Sequence, residues 1–205
     1  MTTEEIYSII EGLLFIAQSP LSVSRLGDIL EQDSDLIRGV LKRIQEDYEA
    51  FHRGLLLEEV AGGYQFRTKI GLRPWIHKYR ASKPNRLSSS AIETLAMVAY
   101  KQPVTRAEIE EIRGVDSSHA LRALVEKKLI RITGKKEAPG NPLLYATTPQ
   151  FLELFGLKDL KALPTLDDIK ELEIDALLNP FKQPENLLLP FMSQVGASMD
   201  PEVSS

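Results

Sequence analysis

Apolar residues near the start of the chain recur at helical spacing. Ile6, Ile9, Ile10, Leu13 and Ala17 form one stripe, which predicts an amphipathic helix. Three other large side chains of the same segment lie off that stripe, namely Tyr7, Leu14 and Phe15. The helix is therefore apolar on more than one side. Two interpretations remain open: a helix inside a core, or a helix at an interface, where these three residues form a dimer contact.

The pattern that follows predicts two more helices and a hairpin. Pro20 ends the first helix, Ser22 is the expected N-cap of a short second one, and Asp33 or Ser34 caps a third. The buried face of the third helix is predicted to contain Leu36, Ile37, Val40, Leu41 and Ile44. The strand-like runs LLLEEV and YQFRTK then flank AGG, which indicates a β-hairpin. Helix, short helix, helix and hairpin is the order of a winged helix–turn–helix domain.

The second half of the chain repeats this order. The run IETLAMVAYKQPVTRAEIEEI at 92–112 echoes IEGLLFIAQSPLSVSRLGDI at 10–29. Pro103 ends a helix whose stripe begins at Ile92, Thr105 and Glu108 form a capping box, and Gly114 ends the next helix. A third helix begins at Asp116 or Ser117, with its inward residues predicted to be Leu121, Leu124, Val125 and Leu129. Two strands joined by EAPGNP and a short closing helix, PQFLELFGL, complete the copy.

These patterns predict a mainly α fold with small β wings. We expect two tandem winged-helix (helix-turn-helix) domains, at residues 1–77 and 91–164, joined by a linker at 78–90. An acidic, partly disordered tail with a short helix is expected at 165–205. The linker contains Lys78, Arg80, Lys83 and Arg86, which either touch phosphates or belong to a solvated connector.

Charge and composition narrow the classes of function. The net charge is −4, but residues 165–205 hold eight acidic and two basic residues, so the rest of the chain is close to neutral. Such a balance lacks the basic excess typical of sequence-independent DNA binding. The chain has no cysteine, its three histidines are scattered, and it has no phosphate-binding glycine loop. We therefore expect no enzyme activity, metal or cofactor. The acidic start also argues against a signal peptide or membrane helix and favours the cytoplasm.

One basic cluster supports an alternative function, that of a winged-helix DNA-binding transcriptional regulator. The third helix and the wing of the second copy carry His119, Arg122, Lys127, Lys135 and Lys136. A solvated face balanced by Glu126 and Glu137 is the other interpretation of these residues. We expect at most weak DNA contact there.

The tail carries a second candidate site. Prolines at 180, 184 and 190 interrupt an apolar segment that contains Leu187, Leu188, Leu189, Phe191 and Met192. An apolar segment in an acidic, proline-broken tail is typical of a docking element that orders on contact with a partner. Packing of these residues on their own domain is the alternative.

The second copy closely resembles the bacterial segregation and condensation protein B family. The resemblance is carried by ETLAMVAYKQPVTRAEIEEIRGV and LYATTPQFLELFGL, and more loosely by IEGLLFIAQSPLS and GGYQFRT in the first copy. It implies a homodimer formed chiefly by the N-terminal domain. It also implies a scaffold, without catalysis, that binds the kleisin segregation and condensation protein A. That kleisin bridges the heads of a structural-maintenance-of-chromosomes ATPase in a condensin-like complex for bacterial chromosome partition.

Overall fold

The computed structural model describes residues 1–80 and 87–165, which divide into two compact units. Of these residues, 1–80 and 156–159 form the first unit, and 87–155 and 160–165 form the second. No helix within the two described ranges is long and apolar enough to cross a membrane.

The first unit has three helices followed by a hairpin. Its elements are α1 (Thr3–Ile16), α2 (Val23–Leu30), α3 (Ser34–Glu49), β1 (Leu55–Val60) and β2 (Gly63–Thr68), and then a 3-10 turn (Ile70–Leu72) that leads into α4 (Arg73–Arg80). The short polar residues before the first three helices explain where these helices begin. Ser22 Oγ accepts a hydrogen bond from Arg25 N at 3.1 Å, and Asp33 Oδ1 accepts from Asp35 N and Leu36 N, both at 2.9 Å. Both predicted caps are confirmed.

The core of the first unit lies between α1, α2, α3 and the hairpin. Its buried residues are Ile6, Ile10, Leu14, Leu26, Leu30, Ile37, Val40, Leu41, Ile44 and Leu57. The predicted face of α3 is confirmed, apart from Leu36, which is only partly buried. The predicted face of α1 is wrong in part, since Leu14 is buried and Ile9 is exposed. The burial of Ile6, Ile10 and Leu14 shows that one i, i+4 row faces the core, so that the packed face is rotated from the predicted stripe.

Glycine at the start of β2 allows the hairpin to meet the segment between α1 and α2. Ala61 and Gly62 form the two-residue turn with positive φ angles of 50° and 75°, as the right-handed twist of a hairpin requires. The next residue, Gly63, lies so close to Leu21 that a Cβ atom would stand 2.8 Å from the Leu21 carbonyl carbon. This approach lets Leu21 and Tyr64 exchange two backbone hydrogen bonds, of 2.9 and 2.8 Å.

The second unit repeats this order with a complete small sheet. Its elements are α5 (Ser89–Lys101), β3 (Val104–Thr105), α6 (Arg106–Arg113), α7 (Ser118–Glu126), β4 (Ile130–Lys135), β5 (Leu143–Thr147), α8 (Pro149–Phe155) and a 3-10 turn (Leu160–Ala162). The strand order is β3-β5-β4, with antiparallel pairs throughout. Val104 and Thr105 form a short strand that pairs with β5. At the equivalent place in the first unit, Leu21 forms only a single bridge, with Tyr64. The prediction of two winged-helix units is therefore confirmed.

The central helix of the second unit is buried on nearly every side. Thr94 and all residues from Leu95 to Ala99 are buried, whereas the predicted stripe residue Ile92 is half-buried. The predicted start and end of α6 are confirmed. Thr105 and Glu108 form the capping box of this helix, and Gly114 ends it with a φ of 67°. The start of α7 also agrees with the prediction of Asp116 or Ser117: Ser117 is the N-cap position, and the Asp116 side chain accepts the hydrogen bond from Ser118 N.

The predicted domain limits remain predictions, although the structure refines them locally. The helix α4 runs through Arg80, so that residues 78–80 of the predicted linker are helical. At the other end of the linker, the cap Ser88 and the start of α5 at Ser89 precede the predicted start at 91. The tail from 166 onward lies outside the described residues, and so does its predicted helix.

Candidate partner-binding surfaces

The helix α1 carries apolar side chains that its own unit does not cover. Ile9, Phe15 and Ile16 are exposed, with Phe15 at 77%. These three residues are here called the outer face of α1. Ile9 and Ile16 are seven positions apart, so they lie on one side of the helix, whereas Phe15 lies about 100° further round it, beside Ile16. Sequence reasoning assigned Ile9 to the core and left Ile16 out, although the spacing from 9 to 16 is that of a second stripe.

Two of the three predicted interface residues pack in or against the core of the first unit. Leu14 is only 2% exposed, so its place in the dimer contact is corrected to the core. Tyr7 packs against that core, and its hydroxyl donates to Asp47 Oδ2 at 2.9 Å. Burial and that hydrogen bond raise the pKa of Tyr7 to about 12. Of the three predicted interface residues, only Phe15 has a largely exposed side chain, at 77% exposure.

A cleft lies between α7 and the wing of the second unit. Its volume is about 280 Å³, and its lining comprises Arg106, Ser118, Leu121, Arg122, Val125, Glu126, Ile132 and Tyr145. Leu121 forms part of the core, and Ile132 is 48% exposed on β4. Val125, predicted to point inward, is only half-buried and faces this cleft. The apolar lining is therefore continuous with the core and open to solvent.

Acidic side chains pair with the cations around this cleft. Arg122 Nε donates to Glu126 Oε1 at 3.1 Å, and Arg106 Nε donates to Glu110 Oε1 at 2.8 Å. The Glu110 carboxylate raises the pKa of Arg106. Asp116 lies 3.4 Å from a second nitrogen of Arg106. These ion pairs reduce the positive field that a phosphate backbone would meet.

A further ion pair joins the wing to α6. Lys136 Nζ donates to Glu108 Oε1 at 2.6 Å, while Glu108 Oε2 accepts from the backbone and hydroxyl of Thr105, both at 2.7 Å. The Lys136 ammonium, with these Thr105 hydrogen bonds, lowers the pKa of Glu108 to about 2. Lys136 therefore has an internal structural role in addition to its predicted DNA contact.

The structure does not gather the five predicted DNA-contact residues into one unpaired patch. Arg122 and Lys136 engage Glu126 and Glu108, and Lys127 is half-buried. His119 and Lys135 are exposed. The weak DNA contact stays a prediction. The geometry around the cleft, apolar at its floor and mixed in charge at its rim, suits a protein segment better than a phosphate backbone.

The predicted docking residues of the tail cannot be placed on this surface. Leu187, Leu188, Leu189, Phe191 and Met192 all lie outside the described residues. Their docking role remains a prediction. Sequence reasoning also missed Ile132, whose signal was faint: an isoleucine in a short wing strand between two polar neighbours.

Fold and surfaces together define a tandem winged-helix protein with exposed apolar residues on α1 and beside α7. The family model "Segregation and condensation complex subunit ScpB" matches residues 8–166, and this chain belongs to that family.

Two relatives agree with the family assignment, and one solved structure is similar to part of the chain. Segregation and condensation protein B of Syntrophotalea carbinolica is 42% identical over 198 residues, which cover 97% of this chain and 96% of the relative. The protein of the same name from Halalkalibacterium halodurans is 42% identical over 177 residues, covering 85% of this chain and 90% of the relative. A solved "dimer of ScpB N-terminal domain complexed with ScpA peptide" is 30% identical, with a TM-score of 0.36, and covers 37% of this chain and 95% of that one.

Proposed function

We propose that this chain is a non-catalytic scaffold subunit of a bacterial condensin-like complex. In this role it forms a homodimer and binds the kleisin segregation and condensation protein A. Through the kleisin it associates with a structural-maintenance-of-chromosomes ATPase. The complex serves chromosome condensation and partition during cell division, in the cytoplasm at the nucleoid. The single observation that carries the proposal is the family match over residues 8–166, which includes parts of both units.

The outer face of α1 is the proposed dimer contact. Ile9, Phe15 and Ile16 are exposed apolar side chains, and burying them against a second copy would remove them from water. A two-fold contact of this kind places the same helix on both sides of the interface.

The cleft beside α7 is the proposed site for a kleisin segment. Ile132, Val125 and Tyr145 offer an apolar floor, and Arg122 and Glu126 offer both signs of charge at the rim. An amphipathic segment can place its apolar side chains on such a floor and its polar side chains at the rim. The tail residues Leu187 to Met192 are proposed as a second contact with the same partner.

The dimer contact is tested by a pair of matched variants. Phe15→Glu should convert the full-length dimer to monomer in sedimentation equilibrium, because it places a charge inside the apolar contact. Phe51→Glu makes the same chemical change at another exposed phenylalanine of the first unit and should leave the mass unchanged. A dimer that survives Phe15→Glu contradicts the proposed contact.

Kleisin binding is tested by co-purification with a kleisin fragment and mass measurement of the complex. Ile132→Glu should weaken this binding about tenfold or more, because it places an acid on the apolar floor. Leu154→Glu is the matched control, since Leu154 is an exposed leucine of the same unit outside the cleft lining. Deleting residues 179–205 should weaken binding while leaving the dimer intact. If the kleisin fails to bind the unaltered chain, the scaffold function is wrong.

A further inference from the structure

The segment after the first hairpin concentrates positive charge in a chain that is acidic as a whole. No acidic residue lies between Glu59 and Glu93. The same interval contains seven basic residues: Arg67, Lys69, Arg73, Lys78, Arg80, Lys83 and Arg86. This stretch of the sequence is therefore far more basic than the net charge of −4 for the whole chain suggests.

The helix α4, within this segment, displays aromatic side chains to solvent. Trp75, the single tryptophan of the chain, is 64% exposed, and Tyr79 is 90% exposed. The two are one helical turn apart, and Lys78 lies on the same side because it is three residues beyond Trp75. Trp75, Lys78 and Tyr79 are here called the aromatic–cationic face of α4.

These three side chains have no polar or aromatic partner inside the part of the chain that the structure describes. Trp75, Lys78 and Tyr79 make no hydrogen bond, ion pair or ring contact there. By contrast, Lys69 donates to Glu49 O at 3.1 Å and to Ala50 O at 2.6 Å, at the end of α3. Lys69 therefore anchors the segment, while the aromatic–cationic face is left open.

We propose that the aromatic–cationic face of α4 binds single-stranded nucleic acid. Lys78 supplies positive charge for the phosphates. Trp75 and Tyr79 supply flat surfaces on which unpaired bases stack, and exposed aromatics among basic residues are the usual means of such binding. Stacking on aromatic faces does not depend on base identity, so binding shows little sequence preference.

Self-association through the same face is disfavoured by charge. A two-fold contact would set Lys78 of one copy close to Lys78 of the other. Residues 60–92 contain no carboxylate to offset that repulsion. A nucleic acid avoids this repulsion, because its phosphates carry negative charge and its bases provide aromatic surface for stacking. The face also shares no residue with the outer face of α1 or the cleft beside α7.

Trp75 makes the proposal directly measurable in the full-length protein. Stacking of a base on the indole ring should quench tryptophan fluorescence when an oligothymidylate of about 20 nucleotides is added. Affinity should fall steeply between about 50 and about 200 mM salt, as phosphate contacts require. A duplex of equal length should bind more weakly and leave the fluorescence unchanged, because its bases are already stacked.

Variants separate the face from general charge. Lys78→Glu and Tyr79→Ala should each lower the affinity for labelled oligothymidylate about tenfold in an anisotropy titration. Lys42→Glu, at an exposed lysine of α3, makes the same change in net charge and should have a much smaller effect. These side chains are exposed, so thermal unfolding should be almost unchanged in all three variants.

Several outcomes would overturn the proposal. Equal losses in Lys78→Glu and Lys42→Glu would show that binding follows net charge alone. Fluorescence that does not respond to the oligonucleotide would remove the stacking role of Trp75. A change in oligomer mass on Tyr79→Ala, with unchanged affinity for the oligonucleotide, would identify the face as a subunit contact instead. None of these readouts depends on the kleisin, so failure here and failure of the scaffold function are distinguishable.

Discussion

The close approach between Gly63 and the segment before α2 can be tested with one methyl group. In Gly63→Ala, the new Cβ would stand 2.8 Å from the Leu21 carbonyl carbon and 2.9 Å from its oxygen. Both atoms belong to the backbone, so no side chain can rotate away. Relief requires Leu21 to separate from Tyr64, which breaks the two hydrogen bonds that join them.

The expected cost follows from those two bonds. At about 0.5 to 1.5 kcal/mol each, their loss lowers the free energy of unfolding by about 1 to 3 kcal/mol. Gly39→Ala is the matched control, because an added Cβ at this exposed α3 position meets nothing within 4 Å. Alanine has the higher helix propensity, so the control should stabilise the protein by about 1 kcal/mol. Two identical chemical changes should therefore have opposite signs.

Urea unfolding followed by circular dichroism measures both free energies. Amide hydrogen exchange adds a local readout, because the Leu21 and Tyr64 amides should lose protection in Gly63→Ala and keep it in Gly39→Ala. If Gly63→Ala proves as stable as the control, with both amides still protected, the steric argument is wrong.

Two further predictions concern the second unit. The folded-state pKa of Glu108 is lowered to about 2 from an ordinary value of 4.5, so its contribution to stability is complete above pH 4.5 and is lost as the pH falls through 2. Glu108→Gln should therefore lower the free energy of unfolding by about 1 kcal/mol at pH 7, a modest value because solvent screens the exposed ion pair with Lys136. The difference from the unaltered protein should shrink progressively in unfolding measurements below pH 4.5. Arg113→Met should lower the free energy of urea unfolding by about 1 to 3 kcal/mol, because the buried guanidinium donates to Glu93 at 2.8 Å and to Ser117 at 2.9 Å. An Arg113→Met protein with unchanged stability would show that this network is dispensable.

Local sequence signals were sufficient for most of the element plan. A cap such as Ser22 or Thr105 acts on backbone groups only two or three residues away, so its effect can be read from neighbouring letters. The hairpin at Gly62 is also local, since its turn requires positive φ angles. The repeat at 10–29 and 92–112 then extended one plan to both units.

The candidate surfaces were harder to predict because they depend on what is left uncovered. Apolar periodicity identifies the residues of α1 that can be buried, but not which row meets α3. In the structure, Leu14 lies in the core and Ile9 lies at the surface. Glu126, named from the sequence as a balancing acid, pairs with Arg122, but the pairing of Lys136 with Glu108 became evident only from the packed geometry.

The sequence by itself determined the first three helices of each unit, most of their caps, the hairpin turn of the first unit and the repetition of one small domain, because these rest on interactions between near neighbours in the chain. Only the tertiary structure decided which face of α1 is covered, why Gly63 admits no side chain, and that Trp75 and Tyr79 remain open to solvent. Such features arise from contacts, or their absence, between residues far apart in sequence. A pattern of neighbouring letters does not record those distances.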